Sequence, residues 1–383
     1  MGAKKIKRKN VGPPDFPLLL VTLALLSIGL VMVFSSSVGY LVGFLGKTNI
    51  YYFFQKQLLF AGLGLVGMIT LMNIPHHVYR KYAPHILVAG IVFLLLVYSP
   101  LGVKQRGSSR WVDIGITSLQ PSELIKLVLA IFLAFSLAEN GIKNLKAMKP
   151  SLLALILCTG MVVIQPDLGT TMVLALTGIS MFISAGLSFT RIFAILGGVA
   201  GAAVVVISQK KYMMDRVMAW YDPWQVRAGD GYQTVNAMLA LGSGGLFGVG
   251  LGRGMQKFGY VPENYTDMIF AIIGEETGLI GTTVVLLLFV LFIWRGFSIA
   301  ARVKDPFSRY LAVGITCMIG FQAIINLGVV TGMLPVTGVT LPFISFGGSS
   351  LTLKLASVGV LLNVSRYAES KPNPLPKTTS ITQ

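Results

Sequence analysis

Apolar stretches of about twenty residues, separated by polar segments of very unequal length, recur from one end of the chain to the other, and that is the length an α-helix needs to cross a bilayer. Such runs start near residues 17, 57, 84, 121, 151, 168, 190, 268, 309 and 349. The pattern predicts an all-α polytopic membrane protein of about ten transmembrane helices, and an even count places both chain ends on one side. The first run, "FPLLLVTLALLSIGLVMVF", follows "MGAKKIKRKN" as a signal peptide would. At about nineteen residues it is long enough to span, so it reads as a retained first helix. Residues 1–16 are then a basic N-terminal segment, 17–366 a single membrane domain, and 367–383 a flexible tail ending in "KPNPLPKTTSITQ".

Two polar segments are too long to be simple connections. One runs from Leu101 to Gln120. The other covers residues 209–267, between the seventh and eighth helices, and is too rich in Trp, Tyr, Met and Gly to be disordered. Within it, "QTVNAMLALGSGGLFGVGLG" reads as a short amphipathic stretch followed by glycines that lie in the interface or re-enter the membrane against protein. Further on, "LPVTGVTLPFISFGGSS" has no charge at all, which predicts a re-entrant turn folded onto protein.

Composition fits this picture: 54% hydrophobic, 12% charged, 43 glycines and a mean hydropathy of +0.76. Glycines suit helices that pack closely in lipid. The net charge of +17 would suit a nucleic-acid binder, but most of the 31 basic residues fall in alternate loops, where they mark the cytoplasmic side. Lys4, Lys5, Arg80, Lys143, Arg295, Arg302 and Arg366 lie there, so both termini are expected to be cytoplasmic, with no nucleic-acid partner. The two long segments are then extracytoplasmic. Cys158 and Cys317 both fall inside apolar runs and read as small core residues.

Four carboxylates stand out in "YVPENYTDMIFAIIGEETG", beside or within an apolar run where charge is expensive. Pro262 predicts that a helix begins near Glu263, which would put Glu263 and Asp267 on one face. Both would serve equally as capping acids. Asp267, at the outer edge of the bilayer, is the better placed for a general base. Glu275 and Glu276 lie deeper and are expected to pair with buried cations or backbone. A second cluster, "GSSRWVDIGITSLQPSELIK", offers Glu123 and Lys126 as an intramembrane ion pair after Pro121. It also offers Arg110 beside Trp111, suited to a phosphate at the interface. Asp167 in "IQPDLGTT" reads either as a turn residue or as a ligand. Asn326 and Lys354 are polar groups within spans that need partners, and His76, His77 and His85 read as interfacial. The glycines of "GSGGLFGVGLGRG" do not meet a dinucleotide spacing.

These segments, with "AWYDPW", "GVTLPFISFGGSSL" and "LLNVSR", together resemble the SEDS family of bacterial cell-wall polymerases that includes FtsW, RodA and SpoVE, and are most similar to its FtsW and SpoVE branch. The resemblance spans nearly the whole chain. It implies a ten-helix peptidoglycan glycosyltransferase that polymerises lipid II at the outer face of the cytoplasmic membrane, releases undecaprenyl pyrophosphate and works with a class B penicillin-binding protein among other divisome proteins. It places the essential aspartate on Asp267 and substrate contacts on Arg110, Trp111, Glu123, Lys126 and Asp167, beside which Glu263 and the loop base Lys257 are expected to touch substrate. A divalent cation, Mg or Mn, is implied as cofactor, with its ligands unassigned. The chain departs from the family pattern at Met268, where Phe is usual, and Phe346, where Tyr is common; both keep a large apolar body. The rival readings are a lipid II flippase, which also needs polar intramembrane groups, and a scaffold that recruits a transpeptidase.

Overall fold

The computed structural model describes residues 12–43, 49–105, 108–113, 115, 118–188, 190–193, 197–198, 201, 208–209 and 211–368. The basic N-terminus before residue 12, most of the expected seventh span and the tail beyond residue 368 lie outside the described residues. In chain order the helices are α1 (Phe16–Gly43), α2 (Tyr52–Asn73), α3 (His76–Leu95), α4 (Pro121–Asn140), α5 (Leu145–Ile164), α6 (Leu168–Ser184), α7 (Lys211–Tyr221), α8 (Tyr232–Ser243), α9 (Ile269–Arg302), α10 (Pro306–Val330) and α11 (Gly348–Ser365). Seven of them, α1 to α5, α9 and α10, are long and apolar enough to cross a membrane, and α6 is a shorter apolar helix. Leu101–Gln120 is not a bare loop. It contains three short antiparallel strands, β1 (Gly102–Gln105), β2 (Ser108–Asp113) and β3 (Ser118–Leu119), in the order β1-β2-β3.

Helix starts follow local chemistry. Asp15, Asn144, Asp167 and Asp305 each accept a backbone N–H three residues on, at 2.9–3.1 Å, which satisfies one of the donors that every helix start leaves open. Pro121 and Pro306 occupy first-turn positions where a missing N–H costs nothing.

Burial sorts the helices. α4, α10 and α11 are buried on most sides and form the centre, whereas α2, α3 and α5 present Leu59, Val66, Val88, Leu153 and Ile156 outwards, as a lipid-facing ring does. α11 lies directly on α2: a Cβ added to Gly359 would stand 2.3 Å from the Met68 carbonyl oxygen, so the two backbones touch only because this position has no side chain. Cys158 and Cys317 are both buried and free.

The described ends of the chain meet. Gly12 N–H donates to the Arg366 carbonyl at 3.0 Å, and Asp15 N–H to Ser365 Oγ at 2.9 Å. Asp15 also pairs with Arg295 and Arg302 at the end of α9. One face of the bundle therefore carries both described ends. α4, α9 and α11 run from the opposite face towards it, and their starts build the site.

Candidate active site

The segment before α9 departs from the sequence reading. No helix begins at Glu263: residues 259–268 form turns, Glu263 itself has a positive φ of 54°, and α9 starts at Ile269. Glu263 and Asp267 do not share a helical face, and Asp267 is not the cap of α9, whose N-cap is Met268. The turn nevertheless brings the two carboxylates together. The Thr266 hydroxyl lies 2.9 Å from Glu263 Oε2 and 3.2 Å from Asp267 Oδ1. Asn326 of α10 holds the backbone of this turn, donating to the Asp267 carbonyl at 2.6 Å and to the Val339 carbonyl at 2.7 Å.

Val339 belongs to the uncharged segment between α10 and α11, which is folded into the protein as its composition required. Leu341, Phe343, Ile344 and Ser345 are all buried. Phe346 N–H donates to the Tyr265 carbonyl at 2.9 Å, and the Phe346 and Tyr265 rings pack with Phe53 of α2. This aromatic contact and Asn326 fix the aspartate turn from two sides.

Above the turn opens a cavity of about 680 Å³. Glu263 and Asp267 line it together with Lys56 of α2, Arg110 and Trp111 of β2, Arg216 of α7, Gln233 of α8, and Val336, Thr337, Gly338, Thr340, Phe346, Gly347, Gly348 and Ser350. Three cations and two carboxylates therefore face one volume. Arg110 is held by the turn between α5 and α6, where it donates to the carbonyls of Gln165 (3.1 Å) and Pro166. Thr337 Oγ1, buried at the lining, has no hydrogen-bond partner among the described residues, so a ligand group would meet an uncommitted hydroxyl there.

Glu123 and Lys126 pair at 2.8 Å, as their spacing predicts, but under the cavity. Lys354 of α11 joins them, 3.1 Å from the other carboxylate oxygen. Lys126 also donates to Gln322 Oε1 at 2.7 Å, Gln322 to Thr340, and Lys354 to Ser350; Thr340 and Ser350 line the cavity. Two buried lysines thus share one carboxylate beneath the floor, an arrangement whose surplus positive charge favours an anion above it.

Asp167 is buried and does not line the cavity. One of its oxygens caps α6, and the other accepts Gln120 Nε2 at 3.2 Å and Ser122 Oγ at 3.4 Å, fastening α6 to the start of α4. Lys257 is likewise buried away from the lining. It pairs with Glu276 at 2.7 Å and donates to the Gly252 carbonyl, while Ser35 of α1 and Gly252 N–H complete the Glu276 carboxylate. Glu275 accepts the backbone N–H groups of Met255 and Gln256. The bland expectation for these two glutamates, pairing with a buried cation and with backbone, describes them well.

Their purpose is local. α9 is broken at Gly278, whose φ of 65° and ψ of −162° interrupt the helix. The glycine-rich segment of the large loop fits the break: Val249 and Gly250 donate to the carbonyls of Glu275 and Glu276, and Leu279 and Ile280 to those of Gly245 and Leu246. A Cβ on Gly248, where φ is 78°, would stand 2.2 Å from the Glu276 carbonyl oxygen. The loop therefore satisfies the polar groups that a broken helix exposes in a bilayer.

Sequence reading did not single out Lys56, Arg216, Gln233, Gln322 or Ser350. Gln322 carried a readable signal, a polar amide in the apolar run "IGFQAIIN". Arg216 and Gln233 carried none, because only the fold of the large loop brings them to Asp267.

Helices of spanning length around a charged cavity at one end of the bundle define a polytopic membrane protein with a polar site. Residues 16–370 match the FtsW, RodA and SpoVE family, described as cell cycle proteins, and the chain belongs to that family. It is 43% identical over 362 residues to the stage V sporulation protein E of Bacillus subtilis, covering 93% of this chain and 98% of that one. It is 39% identical over 368 residues to a probable peptidoglycan glycosyltransferase FtsW of Trichlorobacter lovleyi, covering 94% of each. Among solved structures it is similar to a chain of a peptidoglycan synthase complex described as coordinating polymerization and crosslinking (TM-score 0.78, 27% identity, 94% of this chain and 99% of that one). It is also similar to the rod shape determining protein RodA of Thermus thermophilus (TM-score 0.70, 27% identity, 94% and 98%).

Proposed function

We propose that this chain is a peptidoglycan glycosyltransferase that polymerises lipid II, with Asp267 as its general base. The observation that carries the reading is the cavity in which Asp267 and Glu263 face Lys56, Arg110 and Arg216. Glycan extension needs a base for a sugar hydroxyl and cations for a pyrophosphate, and both are present in one volume.

In the proposed reaction the acceptor hydroxyl oxygen attacks the anomeric carbon of the lipid-linked donor. The bond from that carbon to the pyrophosphate oxygen breaks with inversion, its electron pair leaves with the undecaprenyl pyrophosphate, and the hydroxyl proton passes to Asp267. A base so placed contributes about 10² to 10⁴-fold in rate. Arg110 and Arg216 with Lys56 stabilise the leaving charge, helped by the lysine surplus under the floor. Trp111 lines the same cavity. Glu123 and Lys126 act through Thr340 and Ser350, while Asp167 and Lys257 hold the elements that carry the lining.

A divalent cation fits the donor set in one way. Among the described residues no three His, Cys, Asp or Glu side chains gather as a cage, but the Thr266-bridged carboxylates of Glu263 and Asp267 match the mode in which Mg or Mn takes one or two carboxylates and completes its shell with substrate phosphates. Such an ion would neutralise pyrophosphate charge.

On this reading the chain ends are cytoplasmic and the cavity faces outwards. A class B penicillin-binding protein receives the glycan for crosslinking within a division or sporulation complex. The test is glycan strand formation from lipid II by the purified protein, with and without a co-expressed class B penicillin-binding protein, alongside translocation of fluorescent lipid II in vesicles. Strands are expected; translocation without strands would make the chain a flippase, and neither would make it a scaffold.

A further inference from the structure

A polymerase must hold a strand while its end reacts, and the main cavity is not the whole of the space beside Asp267. A second cavity of about 270 Å³ shares Arg216, Gln233 and Val336 with the first. Its other walls include Trp220 of α7 and Asp230 and Tyr232 at the turn into α8. The two spaces therefore adjoin at these three residues, close enough for one extended ligand to reach from the first to the second.

The two differ in charge. The main cavity sets three cations against two carboxylates, which suits a pyrophosphate. The smaller one sets Arg216 against Asp230, so an additional anion gains nothing there. What it offers is two aromatic rings with amide, carboxylate and phenol groups that hydrogen-bond to hydroxyls, the recognition chemistry of an uncharged sugar. Its wall is also fixed in advance. Trp220 Nε1 donates to the Gly332 carbonyl at 3.1 Å and Arg216 to the Val336 carbonyl at 2.9 Å, fastening α7 to the segment between α10 and α11. A wall held before the ligand arrives loses less on binding.

We propose that this pocket is a glycan subsite, holding a sugar residue of the strand already made while the next bond forms beside Asp267. The proposal rests on the polymerase reading above. It makes the pocket a determinant of how many sugars are joined before the strand escapes.

The experiment compares the purified full-length chain with Asp230→Ala and Tyr232→Ala, and with Tyr232→Phe as the conservative change. Two readouts are strand-length distribution from lipid II, and binding of the N-acetylglucosamine tetrasaccharide by saturation-transfer NMR. Binding of undecaprenyl pyrophosphate, which reports the main cavity, serves as the folding control. Mean strand length is expected to fall by about two- to tenfold in each alanine variant, the loss of one hydrogen bond to a neutral group, with weaker tetrasaccharide binding and a smaller effect of Tyr232→Phe. Wild-type strand lengths in both alanine variants, or undiminished tetrasaccharide binding, would overturn the subsite. If the wild-type chain makes no strands at all, the polymerase reading fails, and the tetrasaccharide comparison alone decides whether the pocket binds sugar.

Discussion

Asn326 Nδ2 donates to the main-chain oxygen of Asp267 at 2.6 Å from within the buried face of α10. The same nitrogen reaches the Val339 carbonyl, so one amide registers the aspartate turn against the segment that forms the cavity wall. Asn326→Leu keeps the bulk and removes both donors. It should lower turnover by about 10²-fold, the scale on which small misplacements of a reacting group act, while detergent-solubilised protein stays folded by size-exclusion chromatography. Polymerisation at the wild-type rate would show that the turn needs no such anchor.

Lys257 and Glu276 are both buried, and each is the other's counter-charge. Removing one leaves an uncompensated charge in the bundle, so Lys257→Met or Glu276→Gln alone should destabilise by about 3–5 kcal/mol. The double variant should recover a good part of that loss. Thermal unfolding of the three proteins in detergent measures it; additive losses would mean that the pair is not coupled.

Gly248 fills the break of α9 with backbone alone. Gly248→Ala meets both a left-handed φ and the Glu276 carbonyl, and should cost about 1–3 kcal/mol. The expected sign is earlier cleavage by a protease within the glycine-rich segment, because the displaced segment loses its bonds to Glu275 and Glu276. An unchanged cleavage rate would contradict the account of the break.

Arg110 reaches two carbonyls with one guanidinium while lining the cavity. A lysine cannot span that fork. Arg110→Lys should raise the KM for lipid II by about tenfold or more, the worth of a charged hydrogen bond, with a smaller change in kcat. Steady-state kinetics with varied lipid II separate the two.

What the sequence made legible was whatever is periodic or locally expensive. The apolar runs gave the helices, and the carboxylates of Glu123, Glu275 and Glu276 announced buried partners because isolated charges in a bilayer are rare. The start of α9 was misread, since Pro262 is a fair helix opener; the turns from residue 259 and the hold of Asn326 on Asp267 carry no local signature. Asp167 and Lys257 illustrate the other limit. Their residue types suit substrate contact, and only the fold shows Asp167 capping α6 and Lys257 paired with Glu276. Arg216 and Gln233 reach the cavity through the large loop, whose path depends on long-range contacts that no residue pattern encodes.

The central claim is that Asp267 is the base for the acceptor hydroxyl. Asp267→Asn keeps the shape, the Asn326 contact to the main chain and the lining, and removes the basicity together with the carboxylate charge. The decisive measurement is lipid II polymerisation by this purified variant beside the wild type. A fall of about 10² to 10⁴-fold with undecaprenyl pyrophosphate still bound is the predicted result; strand formation at the wild-type rate would contradict the account.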